Sequence, residues 1–445
     1  NITSLSGVGT ITPSATGVEI AGITTVSTLK ATTGIVTTLT ATTGIVTTFE
    51  ATTGDITTLR APTGIVTTFV TNTAKVGAAV TISESGIEAS GIGITVANIN
   101  GGAIDNRNIL INGSFIIAQR GTSITSANAY IVDRWKLQSG ALDENCTQEQ
   151  ADVSSGTEPY KLGFRKCWKI TNGNQTSGGG ANDYIELYSY IEGQNLVNSG
   201  WDFKNPNSKM TLSFWIKSSV AQTFPGFLYT TASNGTSVEY MYDYVVGNGT
   251  SNLTADTWTK VVHTFPGNAN LNITNGPNYG MGFGIYPYSG TNLTTDRAAY
   301  NAWSSWSTSN KTPDVTSTWY TTNNATLEFT GFQLEVGPQA TPFKHRSFGE
   351  ELALCQRYYE ISEGGFQGPV YGTDSDIKVS VPFKVTKRAS PTLTTITTDE
   401  NCCTSVSVET NSQDSTLGAR VVGDNVFNDG ANRFFVAKFS ADSEL

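Results

Sequence analysis

Between residues 31 and 70 the apolar and polar positions repeat with a period of ten, as ATTGIVTTLT, ATTGIVTTFE, ATTGDITTLR and APTGIVTTFV. Two columns stay apolar in every copy: Val36, Val46, Ile56 and Val66, then Leu39, Phe49, Leu59 and Phe69. The column before the first reads Ile35, Ile45, Asp55 and Ile65, so a charge is tolerated there. Abundant β-branched residues and a glycine in each copy argue against a helix and for short extended segments bent at glycine. In a straight strand, columns three residues apart point to opposite faces, so each repeat either bends between them or is covered on both sides. One thin ribbon cannot bury both columns, and association with further copies supplies the cover. The pattern predicts a homotrimeric β-repeat fibre shaft over residues 1–75, with the two apolar columns packing between chains; a single-chain β-solenoid is the alternative. Residues 76–104 lose the period and read as a neck or linker that ends near Gly101 and Gly102.

From residue 105 the pattern changes to short alternating stretches, such as MTLSFWI at 210–216 and WTKVVHTF at 258–265, separated by turn-rich segments. They predict an antiparallel β-sandwich over residues 105–347. Asn112 and Gly113 sit between apolar runs and predict a hairpin turn that carries residues 109–115 from one strand into the next. One short helix is predicted over residues 348–359, with Leu352, Cys355 and Tyr359 on one face. It opens a last region, 348–445, whose remainder reads as a small β tip domain. The fold class is all-β throughout.

Composition agrees: charged residues make up 14%, while Gly, Thr, Ser, Asn and aromatics are abundant. A net charge of −10 without any Lys/Arg cluster argues against nucleic-acid binding. No apolar run of about 18 residues is present to insert in a membrane. Five cysteines, without CxxC spacing, suggest neither a disulfide framework nor a zinc site. Several Asn-x-Thr triplets occur, as at Asn234 and Asn248, in a chain where chance supplies some of them. The chain begins at Asn1 with no signal-like segment, which suggests a start inside a longer protein.

Several phrases of the globular half occur in a telling order: NILINGSF at 108–115 with QRGT at 119–122, DRW at 133–135, TGFQLEVG at 330–337 with ATPF at 340–343 and HRS at 345–347, then LALCQRYY at 352–359. With RASPT at 388–392 and ADSEL at 441–445, this set resembles the distal domains of bacteriophage tail-fibre and related virion proteins. The resemblance covers roughly residues 106–445, and threonine- and glycine-rich shafts resemble those of marine phages, including cyanophages. It implies a sandwich similar to carbohydrate-binding jelly rolls and a virion protein that mediates adsorption by binding host cell-surface glycan, joined to other tail proteins at its N-terminal end. Two further readings remain: a purely structural virion fibre and a polysaccharide depolymerase. Arg120, Asp133 and Arg134 are expected to be structural, pairing with one another or with turn carbonyls.

No HExxH, GxSxG, Walker or dinucleotide motif is present, and no cofactor is expected. A depolymerase would need two carboxylates across a cleft. Asp143 with Glu144, Asp183 with Glu186, Glu328, Glu350 with Glu351, and Asp374 with Asp376 are available, yet spacing places none of them opposite another. No catalytic or metal site is assigned, and Asp374 to Asp376 reads as a polar turn rather than a calcium loop. Sugars offer apolar C–H faces and a rim of hydroxyls, which aromatic platforms and polar side chains match. Tyr286, Tyr288, Tyr300, Trp303, Trp306, Trp319 and Tyr320 cluster among polar residues with few aliphatics, which makes them candidate carbohydrate-binding residues or, equally, an aromatic packing cluster. The polar stretch 425–433 is the competing location.

Overall fold

The computed structural model describes residues 10–14, 17–21, 73–76, 80–83, 86–89, 107–231, 238–294, 300–307, 309, 311–370, 375–411, 414–426 and 430–444. The chain divides into two compact units, Asn1–Gly93 and Ile94–Leu445. In the first, β1 (Thr10–Ser14) and β2 (Gly17–Ala21) pair as an antiparallel hairpin, and β3 (Thr73–Val76), β4 (Val80–Ser83) and β5 (Gly86–Ala89) form an antiparallel meander. The ten-residue repeats and their packing residues, Val36, Leu39, Val46, Phe49, Ile56, Leu59, Val66 and Phe69, lie outside the described residues.

The second unit is built on two facing antiparallel sheets. Its strands begin with β6 (Ser123–Thr125), β7 (Asn128–Tyr130), β8 (Trp135–Gly140), β9 (Thr147–Asp152), β10 (Lys166–Thr171) and β11 (Tyr184–Glu192). They continue with β12 (Lys209–Ser218), β13 (Phe224–Thr231), β14 (Val238–Val246), β15 (Thr259–Pro266), β16 (Tyr279–Ser289), β17 (Trp303–Ser305) and β18 (Thr326–Val336). Three one-turn helices, α1 (Glu158–Lys161), α2 (Gly193–Val197) and α3 (Thr318–Thr321), lie in the connections. One sheet has six strands in the order β15-β12-β18-β10-β9-β6, and the other seven in the order β17-β14-β13-β16-β11-β8-β7. Side chains alternate along each strand, so Met210, Leu212, Phe214 and Ile216 of β12 meet Ile185, Leu187 and Ile191 of β11 in one buried core. Across it Trp135 of β8 lies 4.5 Å from Phe332 of β18 and 5.2 Å from Phe283 of β16, and Phe332 stacks on Phe214 at 4.3 Å. This is the expected all-β sandwich.

The segment around Asn112 differs from the expected hairpin. Residues 107–122 form no strand, and Asn112 (φ 56°) is a buried turn. Its side-chain amide donates to the carbonyls of Ile117 at 2.8 Å and Asp133 at 2.9 Å. A Cβ at Gly113 would come within 2.1 Å of the Phe332 carbonyl oxygen, so the Asn-Gly pair serves close backbone approach to β18 rather than strand reversal. Asn108 completes the lacing, donating to the Phe332 carbonyl at 3.0 Å and accepting from Leu334 N–H at 3.1 Å.

Next come α4 (Phe348–Gln356) and β19 (Tyr359–Val370). Ser347 caps α4 with a reciprocal box to Glu350. The helix ends before Tyr359, which belongs to the strand, so that residue does not share the helix face with Cys355 as its spacing suggested. Then β20 (Ser375–Pro382), β21 (Thr392–Glu400), β22 (Ser405–Thr410), β23 (Gly418–Val426) and β24 (Gly430–Asp442) complete two three-stranded sheets, β19-β24-β21 and β20-β23-β22. Val421, Phe435, Ala437 and Phe439 fill the core between them. Among the described residues no helix is long and apolar enough to cross a membrane.

Buried charge joins this small sandwich to the large one. Arg134 pairs with Glu444, donates to the Tyr190 carbonyl at 2.7 Å and lies 3.5 Å over the Tyr358 ring. Arg120 reaches Asp442 at 3.2 Å, Glu444 at 3.4 Å and Asp133 at 3.7 Å. Burial pushes the Asp133 carboxyl up to about 6, against the pull of its Gln119 hydrogen bonds and of Arg120. Replacing Phe332 with Ala should cost about 3–5 kcal/mol of stability in denaturant unfolding, the price of a cavity at the meeting point of both sheets. A loss under about 1 kcal/mol would show that the sheets do not depend on this contact.

Candidate functional site

The strand β11 reads Tyr-Ile-Glu-Leu-Tyr-Ser-Tyr-Ile-Glu: Ile185, Leu187 and Ile191 enter the core, which turns Glu186, Tyr188 and Tyr190 to the other face of the seven-stranded sheet. In β16, Met281, Phe283 and Ile285 point inward, leaving Gly282, Gly284 and Tyr286 outside. The register then sets out two cross-strand rows. Tyr188, Gly284 and Phe227 stand side by side on β11, β16 and β13, and so do Tyr190, Gly282 and Tyr229.

Each row has a glycine at its centre, and the flanking rings use the space. A Cβ on Gly282 would fall 2.4 Å from the Tyr229 ring, and one on Gly284 2.7 Å from the Phe227 ring. Phe227 and Tyr229 are parallel at 5.5 Å, while Tyr190 lies 4.9 Å from Tyr188, 6.1 Å from Tyr229 and 5.0 Å from Tyr279. Tyr188, Phe227, Tyr229 and Tyr286 are buried within this outer cluster; Tyr190, Tyr279 and Trp306 are half-buried at its margin.

Polar groups border the rings. Tyr188 donates to Gln138 Oε1 at 2.9 Å, and Lys136 Nζ lies 5.4 Å from the Tyr130 ring. Burial raises the Tyr190 phenol to about 12 and Tyr188 and Tyr229 further still, so all three stay protonated donors at neutral pH. Burial also pushes the Glu186 carboxyl up to about 7, opposed by Lys311, a Tyr286 hydrogen bond and Lys136. Ring faces, phenol donors, an amide and a cation together suit a hydroxylated ligand with apolar C–H patches.

The seven aromatic residues singled out in the sequence do not form one platform. Tyr286 and Trp306 belong to the outer cluster. Trp319 and Tyr320 are fully buried on the core side: Trp319 Nε1 donates to the Thr326 carbonyl at 3.1 Å, and Tyr320 stacks on Tyr288 at 4.1 Å. Trp303 packs at the core edge, 5.3 Å from Tyr242, with Nε1 donating to the Pro266 carbonyl at 2.8 Å. Tyr300 is half-buried, its phenol raised by burial. The aliphatic support these residues lack locally comes from distant strands. In the competing stretch 425–433, residues 427–429 lie outside the described residues. The sequence reading missed Tyr188, Tyr190, Phe227, Tyr229 and Tyr279: alternation puts the first four on the outer face of their own strands, β11 and β13, but does not show that β16 joins those strands.

The carboxylates considered for catalysis are dispersed in structural roles. Asp143 accepts from Ser177, Asp183 from the Tyr320 hydroxyl at 2.8 Å, and Glu144 from Asn174 N–H at 2.7 Å. Glu328 pairs with Lys217 at 2.8 Å, Glu350 caps α4 and Glu351 pairs with Arg346 at 3.3 Å. Asp374 lies outside the described residues. Among the described residues no group of three His, Cys, Asp or Glu side chains could hold a metal ion.

No protein-family profile matches the chain, and no curated protein matches it in sequence. Among solved structures it is similar to the enzymatically active domain of tailspike protein 4 of bacteriophage CBA120, at 9% identity and a TM-score of 0.25, over 52% of this chain and 21% of that one. It thus spans about a fifth of that tailspike domain. It is also similar to the CBM22-1 xylan-binding domain of Paenibacillus barcinonensis Xyn10C, at 10% identity and a TM-score of 0.25, over 55% of this chain and 100% of that one. A third similar structure is the family 11 carbohydrate-binding module of the Clostridium thermocellum cellulase Lic26A-Cel5E, at 14% identity and a TM-score of 0.25, over 49% of this chain and 96% of that one. Likeness at this level does not define a family.

The raised carboxyl of Glu186 gives a signed pH dependence. It ionises near 4.5 in the unfolded chain and near 7 in the fold, so its contribution to stability is complete below pH 4.5 and is lost as pH rises through 7. The Tm of the wild type, measured relative to Glu186→Gln, should therefore fall across that window and level off above it. A difference that does not change with pH would contradict the burial of this group.

Proposed function

We propose that the chain is a bacteriophage tail-fibre protein whose sandwich binds bacterial cell-surface polysaccharide through the outer face of the seven-stranded sheet. The observation that carries this reading is the pair of glycine-centred aromatic rows, with Tyr190, Tyr279 and Trp306 half-buried at their margin and Lys136 and Gln138 beside Tyr188. A pyranose laid on those rings buries its C–H face while the phenols and Gln138 meet its hydroxyls. In this reading the protein binds rather than cleaves, and Glu186, beside Lys311 and Lys136, serves as a polar border of the rings.

The ten-residue repeats serve as a homotrimeric shaft in this reading, anchored to other tail proteins at its N-terminal end, on a phage of the marine, cyanophage-like kind. Three heads on one shaft make the second and third sugar contacts effectively intramolecular, so weak single sites suffice for adsorption. A purely structural fibre is the alternative, favoured by the near-complete burial of Tyr188, Phe227, Tyr229 and Tyr286 in the aromatic cluster.

Adsorption of the full chain to host cells, or binding on an array of bacterial surface glycans, separates the two. Tyr190→Ala combined with Tyr279→Ala should weaken binding at least about tenfold, or ~1.4 kcal/mol, with an unchanged circular dichroism spectrum at the binding temperature. Binding unaffected by that pair, or no binding to any host-range strain, would favour the structural fibre. Light scattering of the full chain should return three times the chain mass, and a monomer at micromolar concentration would overturn the shaft.

A further inference from the structure

The opposite side of the sandwich has an open cavity that the tyrosine face does not use. It lies on the outer face of the six-stranded sheet, with a volume of about 490 Å³, inside the ~300–1,000 Å³ range of small-ligand sites. Its floor is β12 and β18, where the pairing slips between Ser213 and Trp215 because β18 contributes an extra residue at Gly331. Gly331 adopts φ +71°, and a Cβ there would sit 2.6 Å from the Phe164 ring. The bulge thus makes room for that ring and opens the floor.

Fixed contacts hold the walls. Gln333 accepts from Lys344 N–H at 2.8 Å and Glu335 from Thr341 N–H at 2.8 Å, which pins residues 340–345 across the sheet. His345 Nε2 lies 2.9 Å from the Leu162 carbonyl oxygen, joining that segment to the turn after α1. Phe164 and Phe343 meet at 4.9 Å, and half-buried Trp215 supplies a further ring.

The polar equipment points to charge of one sign. Ser213 lines the cavity and is only 4% exposed. Lys260 pairs across the strands with Trp215, so both side chains leave the sheet on the cavity side, and it forms no ion pair among the described residues. Among the described residues no carboxylate lines the cavity, although the chain carries a net charge of −10. An aromatic pocket with the exposed Lys260 ammonium at its rim and a serine hydroxyl in its lining favours an anion that also has an apolar face. We propose that this cavity is a second saccharide site, separate from the tyrosine face, that takes a carboxylate-bearing pyranose. Its ring stacks on Trp215 and Phe343, its carboxylate meets the Lys260 ammonium, and a hydroxyl reaches Ser213.

Titration of the full chain with a trigalacturonate and with the neutral galactose trisaccharide tests this, by calorimetry or saturation-transfer NMR. The acidic sugar should bind at least tenfold more tightly, and added salt should narrow the gap. Lys260→Glu should abolish the preference with an unchanged circular dichroism spectrum, and Lys260→Met, which keeps the aliphatic stem, should do the same. Tyr190→Ala with Tyr279→Ala should leave it intact. Equal affinity for the two sugars, no binding of either, or a preference that survives Lys260→Glu would overturn the proposal. A preference lost in the double tyrosine variant would assign the anion to the other face and overturn it as well.

Discussion

The contact on which the second unit depends is the aromatic clamp between its sheets. Trp135 and Phe283 come from one sheet and Phe214 and Phe332 from the other, and they meet within 4.3–5.2 Å. A strand has only two faces. Once alternate residues of β11, β13 and β16 are committed to the clamp and its aliphatic surround, the residues between them are necessarily presented outward. The glycine-centred tyrosine rows on one side, and the Trp215 and Lys260 pair on the other, are in that sense consequences of the core.

A second constraint is electrostatic. Arg134 is buried at the junction of the two sandwiches, where Glu444 neutralises it and Tyr358 covers its guanidinium. Glu192 accepts from Arg357 Nε at 2.7 Å a short way along the same junction. Buried ion pairs contribute little net stability, yet losing one partner strands a charge and costs about 3–5 kcal/mol. Their effect is to fix geometry: the last residues of the chain are tied to the first strands of the large sandwich. That explains why short phrases at 119–122, 133–135, 352–359 and 441–445 belong together despite their separation in sequence.

Much of this was legible in the chain. Alternation gave the antiparallel sandwich, and the pairing of Arg120 with Asp133 followed from their chemistry. The helix opening at Phe348 was visible, but its end was not, because Tyr359 satisfies helical spacing and strand alternation alike. The aromatic loop after β16 has few aliphatics near it in sequence, and the support for Trp319 and Tyr320 comes from strands far away in the chain, against which both are buried. The tyrosine rows were hidden for a related reason. Alternation shows which residues share a face of one strand, but β13, β16 and β11 become neighbours only through long connections, and no local pattern encodes that order.

The proposed function puts glycan on the tyrosine face. Hydroxyl-radical footprinting of the full chain, with and without saturating polysaccharide from an adsorbing strain, reads side-chain exposure at each ring directly. Oxidation at Tyr190, Tyr279 and Trp306 should fall on binding, while Trp303 at the core edge stays unchanged. Bound polysaccharide that leaves those three rings as reactive as before would rule out binding at the tyrosine face.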